Sequence, residues 1–336
     1  MNPVISVLVP VRNEGDDLIE CLASLARQSI PLENVEILIA DGSDEAIPRE
    51  ILAAYPGSLS VVPNPARLMT VGLNLIAARA GGAYLAIVSA HSAVPPDYLR
   101  DALGAIEATG AANIGGRIVK VARSSWGRAI AAATSSPLAV GDAIQHYGTR
   151  PRPTDSAFPG FIERRAFDAI GGFDERLACN EDDEFNARLR ASGRAVWYEP
   201  RLVVTYRPRE RMSALFAQYY RYGRWKLAIA RLGRRGYLRW RHLVPSATVV
   251  LAASVPLSIL FVPPLGVLLA LLGVVYVALA ALEGLRMARR FDASPWKTAL
   301  VFPVVHAAYG IGFLRGLIDR GLPVERAISR TVVSKP

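Results

Sequence analysis

Apolar positions along the chain follow two regimes. Up to about residue 205, short β-rich runs alternate with stretches of helical spacing; from residue 243 onward the apolar residues become nearly continuous. Residues 4–9 form an unbroken β-rich run, the pattern of a strand buried on both faces of a parallel sheet. Residues 16–28 place Leu18, Leu22 and Leu25 at helical spacing. Further strands are predicted at 36–40, 59–62, 84–88 and 112–121, and helices at 51–55, 70–80 and 97–109. Strands alternating with helices in this order predict an α/β fold. It is a Rossmann-type sheet flanked by helices, with ligands bound at the carboxyl ends of its strands.

The second regime predicts a membrane region. Residues 243–282 contain no charged side chain. Two apolar runs, 244–262 and 265–282, flank Pro263-Pro264, and each approaches the roughly 20 residues a helix needs to cross a bilayer. So short a link predicts a helical hairpin, 244–283. Arg239 and Arg241 precede it and Arg286, Arg289 and Arg290 follow it, so both ends are expected on the cytoplasmic side. A third apolar stretch, 298–318, holds Pro303, His306, Gly310 and Gly312. It is expected to be membrane-embedded, whether it spans, re-enters or lies in the interface. The first residues lack a basic segment followed by a long apolar one and read as a strand, not a leader. The chain then divides into a sheet domain (1–206), a basic aromatic interfacial region (207–242) and a transmembrane helical region (243–336). The expected location is the inner, cytoplasmic membrane, crossed more than once, with the sheet domain in the cytoplasm.

Composition sharpens this picture in three places. With 51% hydrophobic and 20% charged residues, a disordered chain is excluded. Two distant cysteines, Cys21 and Cys179, exclude a disulfide scaffold and a cysteine zinc site. The net charge of +10 sits in one belt, where residues 207–242 carry eleven Lys/Arg against one acid, Glu210. The remaining 300 residues balance at 28 of each sign. Aromatics interleave the belt: Phe216, Tyr219, Tyr220, Tyr222, Trp225, Tyr237 and Trp240. Such a pattern suits nucleic acid or a membrane headgroup layer. The hairpin that follows directly selects membrane lipid, and no nucleic-acid partner is expected.

The candidate chemistry lies at strand ends. The first strand ends in Pro10-Val11-Arg12-Asn13-Glu14, with no Gly-rich dinucleotide fingerprint. The second ends in Asp41-Gly42-Ser43, where a carboxylate can bind a base or ribose and a glycine admits close approach. Residues 180–184, Asn-Glu-Asp-Asp-Glu, put four acids at a helix start. In isolation that cluster only complements a helix dipole. Helical spacing places Asp182, Phe185 and Leu189 on one face, and Glu184 and Arg188 as an i, i+4 pair on the helix surface.

In this order the motifs resemble glycosyltransferase family 2, inverting enzymes of the GT-A fold, and most of the chain is similar to the succinoglycan-type exopolysaccharide glucosyltransferases. The resemblance implies a GT-A-like mixed sheet and a nucleotide-sugar donor, by family habit a UDP-sugar. It assigns donor binding to Pro10, Arg12, Asn13, Glu14, Asp41 and Ser43, with Arg67, Arg79 and Ser89 assisting. The family's Asp-x-Asp, whose carboxylates meet ribose and metal, reads Ser89-Ala90-His91 here. A divalent cation, Mn²⁺ or Mg²⁺, is implied, and His91 is the ligand expected for a softer ion such as Mn²⁺. The segment 158–175, ending Gly-Gly-Phe-Asp-Glu, resembles the acceptor side and includes Gly160. By the same resemblance Asp182 is the general base that takes the acceptor hydroxyl proton, with Glu181 and Asp183 as second choices. Gln218-Tyr-Tyr-Arg221-Tyr222 echoes a Gln-x-x-Arg-Trp motif, so Arg221 or Arg224 is expected on a phosphate. The expected acceptor is a lipid-linked saccharide. Rival expectations are a bare polyprenyl-phosphate acceptor and a non-catalytic sugar-nucleotide scaffold.

Overall fold

The computed structural model describes residues 3–53, 55–233, 237–319 and 321–322. Arg234 and Arg235 of the basic belt, Ala54 of the helix predicted at 51–55, and the end of the predicted 243–336 region lie outside the described residues.

In chain order the first elements are β1 (Ile5–Val11), α1 (Gly15–Ala26), β2 (Val35–Asp41), α2 (Arg49–Ala53), β3 (Ser58–Pro63), α3 (Met69–Ala77), β4 (Tyr84–Ile87), β5 (Ser92–Ala93), α4 (Tyr98–Thr109) and β6 (Asn113–Lys120). After α5 (Ser125–Ala133) and α6 (Pro137–Val140) come β7 (Arg152–Pro153), β8 (Gly160–Glu163), α7 (Arg164–Ala169), α8 (Glu181–Ala191) and β9 (Val196–Tyr206). The rest is helical: α9 (Met212–Ala230), α10 (Val244–Phe261), α11 (Pro263–Phe291) and α12 (Pro295–Ile318).

The strands form one nine-stranded sheet in the order β3-β2-β1-β4-β8-β6-β9-β5, with β7 also on β9. The first four are parallel, with Leu8 level with Ile87 and Val11 level with Asp41, so β1, β2 and β4 end on one edge. β8 is antiparallel to β4 and to β6. The two-residue period of β1 explains the layering. Ile5, Val7, Val9 and Val11 join Leu18, Leu22 and Leu25 of α1 and Leu99 and Ile106 of α4 in one core. Leu8 of β1 and Leu38 of β2 face the other way, onto Leu73 and Ile76 of α3, Phe167 of α7 and Phe185 and Leu189 of α8. Strands buried on both faces need near-continuous apolar sequence; 4–9 supplies it except at Ser6, whose buried hydroxyl donates to Glu36 at 2.6 Å.

The described residues divide into two compact units, one up to 119 together with 148–207, the other 120–147 with everything from 208. Sequence reading places 120–147 inside the sheet domain; in the structure it packs with the later helices. Its small apolar residues account for this. Ile130 and Ala133 of α5 and Ala139 share a core with Leu215, Ala280, Val301, Phe302 and Val305. Polar anchors fix the segment further. Ser136 Oγ bonds Glu283. The Leu138 carbonyl faces Nε2 of His306 at 2.8 Å, and Nδ1 of that ring meets the Tyr276 hydroxyl at 2.7 Å. Glu210, the acid of the basic belt, accepts from the backbone N–H of Arg123 and Ser124 at 3.0 Å each, just before α5.

Within this second unit α9 and α12 pack backbone to backbone. A Cβ on Gly223 would lie 2.0 Å from the Tyr309 carbonyl oxygen, and one on Gly312 would lie 2.1 Å from that of Tyr220. Small residues at such contacts are the usual means by which apolar helices approach closely. Three helices, 240–261, α11 and α12, are long and apolar enough to cross a membrane. On α10 and α11 the large apolar side chains point outward: Leu260, Phe261, Val274 and Leu282 are each about two-thirds exposed. Pro263-Pro264 joins the two helices as the sequence predicts, at the first turn of α11, where proline needs no N–H partner.

Candidate active site

The site is built where β1, β2 and β4 end. The chain leaves β1 through Arg12-Asn13-Glu14 and β2 through Gly42-Ser43-Asp44, and the two turns interlock. Asn13 N–H donates to Ser43 Oγ at 2.9 Å, Asn13 Nδ2 to Asp44 Oδ2 at 2.9 Å, and Asp44 N–H to Asn13 Oδ1 at 3.0 Å. Asp41 Oδ1 accepts from Ser43 N–H at 2.9 Å, and Gly42 N–H donates to the Val11 carbonyl. A third loop closes on both: Arg67 pairs with Asp44 at 2.7 Å, and Arg12 reaches the Arg67 carbonyl at 3.4 Å. Asp44, just beyond the Asp41-Gly42-Ser43 motif, is a member of this network that the motif itself does not mark. Its bond to Asn13 and the neighbouring Arg67 hold its carboxyl below the usual range.

Asn13, Arg67 and Asn180 adopt left-handed φ of 61°, 56° and 58°. Non-glycine residues accept that strain only where surroundings enforce it, commonly at functional sites. Gly42 lets the loops approach closely, since a Cβ there would stand 3.3 Å from the Arg67 Cα.

α3 connects these loops to the acidic helix. It starts right after the 64–67 loop, and its side chains grip the segment leading into α8. Thr70 Oγ1 donates to the Leu177 carbonyl at 3.0 Å. Asn74 donates to the Phe173 carbonyl at 2.8 Å and accepts from Phe173 N–H at 2.9 Å. Arg188 holds the same segment from the other side, with bonds of 2.7 Å to the carbonyls of Ile170 and Gly172. Glu184 accepts from Arg188 Nε and Nη2 at 2.7 Å each and is fully buried, so this pair is internal and not on the helix surface as its spacing suggests. Phe185 and Leu189 are buried beneath α8 while Glu181 and Asp182 stay half-buried at its first turn. There Glu181 and Asp182 line a small cavity with Met69, Leu73, Ile87, Asn113 and Gly160. Ile87 ends β4, so Asp182 and Gly160 share the edge of the sheet on which Pro10 and Asp41 lie.

Ser89 and His91 follow β4 in a turn, and His91 Nδ1 is 3.0 Å from Glu14 Oε1. The ring also meets Tyr206 edge-on, with centroids 5.4 Å apart, beside the Ser92–Tyr206 pairing of β5 and β9. Among the described residues no cluster of three or more His, Cys, Asp or Glu side chains is placed to hold a metal ion. Glu14 and His91 make a two-donor set, one oxygen and one nitrogen. To a divalent ion of the Mn²⁺ kind this pair would supply one oxygen and one nitrogen ligand.

Arg79, expected at the donor, and Arg224, expected on a phosphate, have other partners. Arg79 follows the carboxyl end of α3, which runs against the strands. It therefore lies towards the amino-terminal edge, a few residues before Tyr84 pairs with Ile5, and bonds the Leu75 carbonyl at 3.2 Å. Arg224 is committed within the second unit: its Nε is 2.5 Å from Oδ2 of the buried Asp319, which sustains its charge. Arg221 is exposed on α9, and Gln218 donates to the Tyr222 hydroxyl at 2.8 Å.

A family model for glycosyl transferase family 2 matches residues 6–171. The chain is 31% identical over 323 residues to the succinoglycan biosynthesis protein ExoA of Rhizobium meliloti (strain 1021), covering 93% of this chain and 94% of that protein. It is 23% identical over 327 residues to the dolichyl N-acetyl-alpha-D-glucosaminyl phosphate 3-beta-D-2,3-diacetamido-2,3-dideoxy-beta-D-glucuronosyltransferase of Methanococcus voltae, covering 94% and 97%. Among solved structures, the mannosyltransferase PcManGT from Pyrobaculum calidifontis, in complex with GDP-Man and Mn²⁺, superposes with a TM-score of 0.64 at 18% identity, over 93% of this chain and 88% of that one.

Proposed function

The chain belongs to glycosyl transferase family 2 and has the GT-A fold, and from that premise we propose that it moves a sugar from a nucleotide-sugar, a UDP-sugar by family habit, to a lipid-linked saccharide at the cytoplasmic face of the inner membrane. The observation that carries the reading is the shared edge: the interlocked turns at Pro10–Glu14 and Asp41–Asp44 lie on the rim where α8 presents Asp182. In this scheme Asp41, Ser43 and the Pro10–Glu14 turn hold the nucleoside. Asp182 carboxylate takes the proton of the acceptor hydroxyl as its oxygen bonds the anomeric carbon. The bond from that carbon to the diphosphate breaks, and the nucleoside diphosphate leaves with inversion. Glu14 and His91 would hold a divalent ion, which supplies positive charge to the leaving diphosphate.

The lipid-linked acceptor is supported by the M. voltae relative, a transferase named for a dolichyl-linked sugar phosphate acceptor. Membrane attachment is supported by the outward apolar faces of α10 and α11. It is supported too by the Trp126–Trp296 pair, whose rings Lys297 caps at 5.2 and 5.5 Å. Amphipathic aromatics and cations gather at headgroup depth. The test feeds membranes containing the protein with radiolabelled nucleotide-sugars and extracts lipid. Label is expected in a lipid-linked saccharide, with at least a 100-fold loss in Asp182→Asn that keeps its melting temperature. Labelled product with normal yield from Asp182→Asn refutes the assignment, and label on bare polyprenyl phosphate moves the acceptor one step earlier.

A further inference from the structure

Asn113, the first residue of β6, is 1% exposed and lines the cavity beside Asp182. A chain of bonds fixes which end of its amide points where. Asn186 Nδ2 lies 2.8 Å from the Asp182 carbonyl oxygen and 3.3 Å from that of Ala157. Carbonyls only accept, so the NH₂ end of Asn186 faces them. Asn186 Oδ1 is thereby turned to Asn113 and accepts from its Nδ2 at 2.7 Å. The remaining end, Asn113 Oδ1, is buried and has no hydrogen-bond partner among the described residues. Buried acceptors are seldom left so, and each one asks for a donor.

The space before this oxygen is kept open. A Cβ on Gly160 would stand 3.0 Å from Asn113 Oδ1. The neighbouring walls, Leu73, Ile87 and Phe185, are apolar. On the proposed transfer, on which this inference rests, the acceptor oxygen must reach both Asp182 and the anomeric carbon. The ring bearing that carbon therefore occupies the space next to Asp182. The nucleoside turns, by contrast, stand at β1 and β2, separated from β6 by β4 and β8. We propose that Asn113 Oδ1 accepts a hydrogen bond from a hydroxyl of the donor's sugar ring, so that Asn113 selects the sugar and not the nucleotide.

The test measures equilibrium binding to the detergent-solubilised full chain. The probes are UDP, GDP, UDP-glucose, UDP-N-acetylglucosamine and GDP-mannose. Asn113→Ala removes the acceptor. Gly160→Ala fills the space in front of it and leaves the Asn113–Asn186 bond in place. In both variants the affinity for the best nucleotide-sugar, relative to its parent nucleotide, is expected to fall about 5- to 30-fold, the range of one lost hydrogen bond in a buried site. The nucleotide's own affinity is expected to stay within about twofold. An unchanged ratio overturns the proposal. So does an equal loss for nucleotide and nucleotide-sugar, which marks a purely structural residue. Failure of the unaltered protein to bind any nucleotide refutes the transferase reading itself.

Discussion

Replacing Arg188 by methionine probes the device that holds the acidic helix in place. The guanidinium makes two bonds to Glu184 and one each to the carbonyls of Ile170 and Gly172, all at 2.7 Å. Glu184 is fully buried and pairs with Arg188 at 2.7 Å, so its carboxylate would lose that cation. Breaking a buried pair by removing one partner costs about 3–5 kcal/mol. Two carbonyls losing their donors raise the total to at least ~4 kcal/mol, a large part of the ~5–15 kcal/mol that stabilises a domain. At about 2–4 °C per kcal/mol, the thermal midpoint should drop by roughly 8 °C or more. Melting followed by circular dichroism in detergent reads this directly. The double variant Glu184→Leu, Arg188→Met removes the stranded charge along with its partner and should recover about half of the loss. Transfer by the folded fraction should also fall in the single variant, because the 170–172 turn and α8 lose their tie. A cost below ~1 kcal/mol, or a double variant no better than the single, would refute the reasoning.

Gly116 faces the Leu202 carbonyl oxygen so closely that a Cβ would lie 1.9 Å away; Gly116→Ala should destabilise the sheet by ~1–3 kcal/mol or more, read as a lower melting temperature. Burial pushes the Lys120 amine down to about 7, while the unfolded chain keeps that proton to about pH 10. The unfolded state then binds more protons between these values, so stability should rise from pH 7 to 9, and the rise should shrink in Lys120→Met when midpoints are compared across that range. His91→Gln should weaken Mn²⁺ binding in the presence of a nucleoside diphosphate by about tenfold, measured as free Mn²⁺ by electron paramagnetic resonance, without lowering nucleotide affinity in metal-free buffer.

Features written into short windows of sequence were legible without a structure. The apolar run at 4–9 and the spacing of Leu18, Leu22 and Leu25 encode burial locally; the run feeds the cores on both faces of the sheet, and the three leucines pack into one of them. The uncharged stretch around Pro263-Pro264 likewise encodes its helices through length and composition. The strand-end motifs at 10–14 and 41–43 and the acids at 181–184 could be named because their residue types recur in one order. Tertiary structure decided everything that depends on which distant groups meet. Arg79 sits near a donor motif in sequence, yet the direction of α3 carries it towards the other edge of the sheet. Arg224 resembles a phosphate ligand until Asp319, 95 residues further on, claims it. The segment 120–147 joins the later helices through packing partners that lie more than 140 positions away, such as Ala280 and Val301. The bond between His91 and Glu14, and the orphan oxygen of Asn113, likewise arise only when strands and turns far apart in the chain are brought side by side. Periodicity and propensity act over one or two turns of chain, whereas pairing energies act through space. The sequence therefore determined the elements, and folding determined their partners.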